Sequence, residues 1–402
     1  MHINPMKKLL YMICCWLPVA ACQSQKADLP AYIKTESNAF MIDYAPQHLH
    51  RDFRISVDSI LLPAPGMKSE PKPLISIKDN RMLVTAPKAS VTFVIDLHTN
   101  TLIARYKTGE QGPEYVPVTA NCSCPADLSV DIQSVDFYSG GNILLQYEGK
   151  LKVIDTAGNV ADTFVLNSNN LKKDKFLYSN LFESPVHFDE STQKIAVFRY
   201  CYVCPYRTKK YYESSIGALV DAQTGNIEET DMHYPEIYTQ FGLGFADIVY
   251  SSFYGGRQFI TFYPDSRIYV YDMQAETTSV YPGRSAHSKG IVNTLTREDS
   301  KDQGKLLMHL MKMENYKQLV FDPSVNRYYR LFSTPKEVSV QNMSTVFESY
   351  FQVFDENFNL LGEIPVEDCS VYYTAYDGGV KWVELRNNAI MLYTMKFVES
   401  AP

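Results

Sequence analysis

From about residue 74 onward, short apolar runs rich in β-branched and aromatic residues alternate with small polar turns. This pattern predicts strands rather than helices. Two hairpin signatures recur. In the first, a run ends in an apolar residue and Asp, a polar turn follows, and a second run begins. The copies end at Asp96, Asp155, Asp221, Asp272 and Asp355, with turns HTN, TAGN, AQTGN, MQAE and ENFN. An Asp in that place accepts from backbone N–H groups two residues on and closes the turn. The second signature lies upstream of each: Lys78-Asp79-Asn80, Ser139-Gly140-Gly141, Asp189-Glu190-Ser191, Gly255-Gly256, Asp322-Pro323-Ser324 and Asp377-Gly378-Gly379. The spacing is about 50 to 67 residues, a period that signals repeated structural units. Five copies are followed by the first signature, and the sixth by VKWVEL and AIMLYTMKFV.

Six units of strand–turn–strand–loop–strand–turn–strand predict an all-β chain folded as a six-bladed β-propeller, one domain over residues 31–402. The last unit counts only three strands. Segment 31–62 holds two spare runs, AFMIDYA and FRISVDSILL. One of them is expected to supply the missing outer strand and close the ring, which leaves only short, protected edges. The competing architectures are a seven-bladed propeller, with 31–62 as a blade of its own, and two packed β-domains.

In a blade with strands a to d, the a–b and c–d turns share one face, and the b–c loops and blade-to-blade connections share the other. The Asp and Gly turns are short and belong to the first face. The long segments 105–130, 161–183, 200–214, 282–316 and 333–347 all rise on the second. Loops of that length are usually functional or disordered, so a binding surface is expected there, over the central channel. The first of them carries the candidate binding loop Gly109, Gly112, Pro113 and Tyr115. Its glycines permit positive φ and its proline stiffens the path, but it lacks the Lys and Ser/Thr of a phosphate loop. Leu306–Glu314 (LLMHLMKME) reads equally as a helix or a strand.

The N-terminus has a different character. Lys7 and Lys8 precede an apolar run, Leu9 to Leu17, too short to span a bilayer comfortably, and Val19-Ala20-Ala21-Cys22 follows. Residues 1–21 read as a secretory signal peptide and resemble the lipobox of bacterial lipoproteins. That resemblance implies cleavage before Cys22, lipid attachment at Cys22 and stable membrane anchoring by two or three acyl chains. An ordinary cleaved signal is the alternative. Residues 22–30 form a polar tether, and no later run reaches 18 apolar residues. The absence of Asp directly after Cys22 implies, by resemblance to lipoprotein sorting, the outer membrane. The lack of an acidic run favours its periplasmic side over the cell surface.

The formal net charge is −7, and Lys7 and Lys8 stand in a signal without acids, so the remainder is nearer −9. A polyanion-binding surface is not expected, and nucleic acid is excluded as a partner. The basic stretch Arg207-Thr208-Lys209-Lys210-Tyr211-Tyr212 reads as one charged loop. Apolar residues make up 45%, enough for a sizeable core, and 29 Tyr and 21 Phe favour strands.

Candidate chemistry is sparse. A secreted context favours disulfides, and two cysteine pairs sit on the long-loop face, Cys122 with Cys124 and Cys201 with Cys204. A bridge from one pair to the other across that face is the expected arrangement. Four thiolates holding Zn²⁺ are the alternative, and no other cofactor is expected. A redox role for Cys201 and Cys204 would need a strand-to-helix context that a propeller lacks. Cys369 reads as a lone buried cysteine, and His48 with His50 as a solvated pair. No G-x-S-x-G, H-E-x-x-H or paired-carboxylate signature occurs. Two function classes follow. One is a non-catalytic binding or scaffold propeller that holds a peptide, glycan or protein on its long-loop face. The other is a hydrolase or lyase with its site at the central channel. Histidine and carboxylates converging at the channel would favour the enzyme, and an aromatic, uncharged mouth the binder.

The run Leu319-Val320-Phe321-Asp322-Pro323-Ser324-Val325-Asn326-Arg327-Tyr328-Tyr329-Arg330 completes the picture. With the lipobox and the G-x-x-G-P-x-Y of the first long loop, it resembles six-bladed propeller lipoproteins of Bacteroidetes in an uncharacterised domain family. The resemblance implies fold and envelope location. The family has no assigned activity, so no catalytic residue is carried over.

Overall fold

The structure, a computed structural model, describes residues 32–34, 39–42, 52–64, 69, 73–87, 91–107, 132–147, 149–167, 175–178, 185–204, 208–240, 248–295, 299, 302–339, 342, 344–367 and 373–399. The signal and tether with Cys22, the loop Gly109–Tyr115, and Cys122, Cys124, Cys369, His48 and His50 lie outside these residues.

Three strands precede the first blade: β1 (Tyr32–Lys34), β2 (Ala39–Ile42) and β3 (Phe53–Pro63). Blade 1 is β4 (Leu74–Lys78), β5 (Arg81–Ala86), β6 (Val91–Asp96) and β7 (Thr101–Lys107). Blade 2 is β8 (Ser134–Phe137), β9 (Ile143–Tyr147), β10 (Lys150–Ile154) and β11 (Val160–Val165). In blade 3 the inner strand is split into β12 (Phe176–Tyr178) and β13 (His187–Asp189). Both pair with β14 (Lys194–Cys201), and β15 (Gly217–Asp221) and β16 (Ile227–Glu229) follow. Blade 4 is β17 (Val249–Tyr254), β18 (Arg257–Phe262), β19 (Ile268–Asp272) and β20 (Thr277–Tyr281). The connection to blade 5 carries β21 (Ile291–Asn293), which pairs with β2 in a small sheet outside the blades. Blade 5 is β22 (Asn315–Asp322), β23 (Arg327–Ser339), β24 (Ser344–Phe354) and β25 (Leu360–Val366). Blade 6 is β26 (Thr374–Ala375), β27 (Gly379–Arg386) and β28 (Ala389–Glu399), with β3 as its outer strand.

The six-bladed ring is therefore closed by FRISVDSILLP, paired antiparallel from Ala389↔Pro63 to Glu399↔Phe53. The other spare run, AFMI, joins β1 and β21 instead. A seventh blade does not form, because the two runs go to different sheets.

The Asp signature has the anticipated physics. Asp96 accepts from the N–H groups of His98 and Thr99 at 2.8 and 2.9 Å. Asp221 and Asp272 likewise accept from the N–H groups two and three residues on, and Asp155 and Asp355 from those two and four residues on. At the a–b turn of blade 6, Gly378 has φ +77°, and a Cβ on Gly379 would meet the Met395 carbonyl oxygen, so glycine is required at both.

The apolar clusters lie between blades. Leu83 and Val94 of blade 1 pack with Val135 and Leu145 of blade 2, and Tyr329 and Phe351 of blade 5 with Trp382 and Phe397 of blade 6. Each blade thus buries its faces only against its neighbours.

On the long-loop face several expectations change. Segment 333–347 is not a free loop, because β23 and β24 continue into it as a long hairpin arm paired as far as Ser339↔Ser344. The basic stretch after Pro205 becomes a short helix, α1 (Lys209–Tyr212), with Tyr211 and Tyr212 buried. A connection that sequence reading passed over, 230–248, contains α2 (Glu236–Gln240). LLMHLMKME resolves as a helix, α3 (Gln303–Met311), capped at Asp302, whose side chain accepts from the Lys305 N–H. No described helix is long and apolar enough to cross a membrane.

The expected cross-face disulfide is also corrected. Cys201 and Cys204 bond to each other, with Cα atoms 5.4 Å apart. β14 ends at Cys201, and the turn that follows brings the residue three positions on within bridging distance, so no distant partner is needed. Both cysteines are buried in the cluster that holds Tyr211, Tyr212, Tyr234 and Tyr238. That pairing leaves this C-x-x-C without the free thiolates that the zinc alternative required.

Candidate functional site in the central channel

The inner strand of every blade faces the axis of the ring. Between them lies a cavity of about 540 Å³. It runs from Pro73, Ser134 and Pro185 near the long-loop end to Asp79, Gly255 and Pro323 at the short-turn end.

Three consecutive inner strands build a polar constellation in its wall. Ser76 of β4 donates its hydroxyl to Asp136 Oδ1 of β8 at 2.6 Å. His187 Nδ1 of β13 lies 2.8 Å from Asp136 Oδ2, and the Phe188 N–H donates to the same oxygen at 3.1 Å. Because Asp136 accepts, the neutral imidazole carries its proton on Nδ1 and presents Nε2 as an acceptor. The His187 ring stacks on Phe253 of blade 4, with centroids 4.4 Å apart and an interplanar angle of 15°. Four blades therefore fix the position, plane and tautomer of one imidazole. Next to it, Val186 donates its N–H to Ser134 Oγ at 2.6 Å.

A histidine and carboxylates do meet in the channel, the feature that was to favour the enzyme, and the mouth is not uncharged, but the pair is not built as a nucleophile relay. The Ser76 hydroxyl goes to the carboxylate rather than to the imidazole, so His187 does not activate Ser76. Nor is there, among the described residues, a group of three or more His, Cys, Asp or Glu side chains placed to hold a metal ion.

At the short-turn mouth, Lys78 and Glu190 form an ion pair of 2.6 Å between blades 1 and 3. Burial pushes the Asp189 carboxyl up, but hydrogen bonds from Ser191 and Thr192 prevail and hold it below the usual carboxylate range. Across the channel the wall is aromatic. Tyr254 lies 4.6 Å from Phe321 between ring centroids, and the Tyr376 hydroxyl donates to Asn80 Oδ1.

Ser76, Asp136 and His187 were not singled out by sequence reading. Each stands three positions before the turn that ends its inner strand, so alignment of the blades on those turns was the signal available. The D-P-x-x-N-x-Y-Y-R run proves to be an inter-blade tie. Buried Asp322 accepts from the N–H groups of Gly378 and Gly379 in blade 6 at 2.7 and 3.0 Å. Buried Arg330 donates to Ser266 O and Gly283 O of blade 4 and to Gln352 Oε1 at 2.9 Å.

With this geometry in hand, the relationships are clear. Residues 51–365 match a family described as a domain of unknown function, DUF4221, and the chain belongs to that family. It is similar to a DUF4221 member from Bacteroides vulgatus at 14% identity and a TM-score of 0.64, over 87% of this chain and 100% of that one. It is also similar, at 11% identity and a TM-score of 0.51, to a candidate exported protein from Bacteroides fragilis, over 85% of this chain and 95% of that one. No curated protein matches the sequence.

Proposed function

We propose that the protein is an envelope lipoprotein, anchored through Cys22, that binds a ligand in its central channel without transforming it. The observation that carries the reading is the constellation Ser76–Asp136–His187. It is held rigid from four blades, it lines a cavity of ligand size, and its serine is committed to the carboxylate. Fixed, prepaid geometry with one open acceptor suits recognition. The exported character given to the Bacteroides fragilis relative supports the envelope location, as does the lipobox.

Two experiments test this reading. The chain from residue 23 onward, purified, is mixed with a metabolite collection and followed by ligand-observed NMR. Ligands that bind and remain chemically unchanged after a day are expected, and steady conversion to a product would establish the hydrolase or lyase reading instead. In cells, Cys22→Ala is expected to release the protein from the membrane fraction, and full retention would overturn the anchor. Protease treatment of intact cells is expected to spare it, consistent with the periplasmic side.

A further inference from the structure

The channel wall is divided by charge. Among the described residues, the six side chains that line it with a carboxyl, ammonium or imidazole group come from blades 1 to 3: Lys78, Asp79, Asp136, His187, Asp189 and Glu190. The described residues of blades 4 to 6 contribute no such group to the lining, and present Phe253, Tyr254, Phe321, Tyr373 and Tyr376 instead. Among these described residues, one half of the ring thus carries four carboxyl groups against the ammonium of Lys78. The other half is an aromatic wall.

We infer that the channel takes a small organic cation, an ammonium or substituted ammonium carried on an apolar or aromatic body. The inference rests on the reading of the channel as a binding site and names its ligand class. An ammonium N–H is a donor, and His187 Nε2 has no hydrogen-bond partner among the described residues and, in the neutral imidazole, is the acceptor because Asp136 holds the proton on Nδ1. The excess of three carboxyl groups favours positive charge in a walled space, where Coulomb interactions are stronger than in water. The opposite wall offers ring faces, which attract a cation through their quadrupole and cover its apolar body. An anion would meet the carboxyl groups directly. A neutral ligand would lie against the same acidic wall without compensating it. A metal ion lacks a converging ligand set among the described residues. The cavity, about 540 Å³, is of the size that small-molecule sites have.

Benzylamine, benzyl alcohol and benzoate share one ring and differ in charge, which makes them direct tests. Each is titrated at pH 7.5 into the chain from residue 23 onward, with the His187 imidazole followed by NMR. Benzylammonium is expected to shift His187 and to bind at least tenfold more tightly than benzyl alcohol, with no shift from benzoate. Asp136→Asn is expected to weaken the amine at least tenfold. Lys78→Ala, outside the core and removing the only ammonium among the described lining residues, is expected to tighten it two- to fivefold. If benzyl alcohol or benzoate shifts His187 as strongly as the amine, the cation assignment falls and the channel remains a binding site. If Lys78→Ala weakens the amine, the charge argument falls. If none of the three reaches His187, both the assignment and the channel as the binding site are overturned.

Discussion

Asp155 and Asp322 show how one residue type serves two ends. Asp155 is exposed and closes its own turn, whereas Asp322 is buried and reaches the backbone of the next blade. The exposed caps have a consequence in acid. A backbone hydrogen bond from Thr99 holds the Asp96 carboxyl below the usual range, and bonds from Asn159 and Thr224 do the same for Asp155 and Asp221. A carboxyl whose folded pKa is depressed contributes stability above its unfolded value of about 4, and that contribution is lost as pH falls through the folded value. The urea midpoint is therefore expected to fall steeply below about pH 4. The triple variant Asp96→Asn, Asp155→Asn, Asp221→Asn, whose amides do not titrate, is expected to start lower at pH 7 and fall less steeply. Parallel curves between pH 6 and pH 2 would show that these caps do not carry the acid limb. The caps were legible in the sequence because each is decided within five residues. His187 was not, because its meaning depends on Ser76 and Asp136, which come near it only when three blades are wound about one axis.

At the level of elements, the short-turn face follows from the sequence almost strand for strand, since Asp, Asn and Gly mark turns by local chemistry. The other face does not. The arm at 333–347 contains Pro335 and charged residues that read as a loop, yet pairing along β23 and β24 carries the strands through them. α3 spans only Gln303–Met311, too short for periodicity to separate helix from strand. The cysteines show the same limit, because sequence gives their number and compartment but not their partners. The observed pairing changes the expected energetics. A bridge across the face would have closed about 80 residues and stabilised by roughly 4 kcal/mol on the chain-entropy model, whereas one between neighbours in a C-x-x-C stabilises by about 2 kcal/mol. Replacing both Cys201 and Cys204 by Ser is therefore expected to lower the melting temperature by only a few degrees. Non-reducing mass spectrometry of the native chain should return one peptide with an internal Cys201–Cys204 bond. A cross-linked peptide joining either of them to Cys122 or Cys124 would refute the local pairing.

Over the whole molecule, the question is what keeps six blades in one ring when each packs its apolar faces against its neighbours. Closure is made by β3, which meets β28 at the far end of the chain in a ladder from Phe53↔Glu399 to Pro63↔Ala389. β3 is mostly exposed, with Leu62 its only buried side chain, so its contribution is the hydrogen-bonded ladder rather than burial. It also covers the edge of β28, which would otherwise offer eleven unpaired residues to other chains. Pairing across more than 300 residues is costly in chain entropy, yet that cost rises only slowly with loop length, whereas the ladder is lost as a unit. Removing it is expected to cost on the order of 5 kcal/mol, at about 1 kcal/mol net for each hydrogen bond less what the freed strand regains in entropy. Two truncations separate closure from the small sheet of β1, β2 and β21. A chain beginning at residue 52 loses β1 and β2 but keeps β3, and is expected to melt within a few degrees of the chain beginning at residue 23. A chain beginning at residue 65 loses β3 as well, and is expected to melt roughly 10 °C or more below it and to associate through β28. Equal melting of the two truncated chains would mean that inter-blade packing alone holds the ring, and that the closing strand is dispensable.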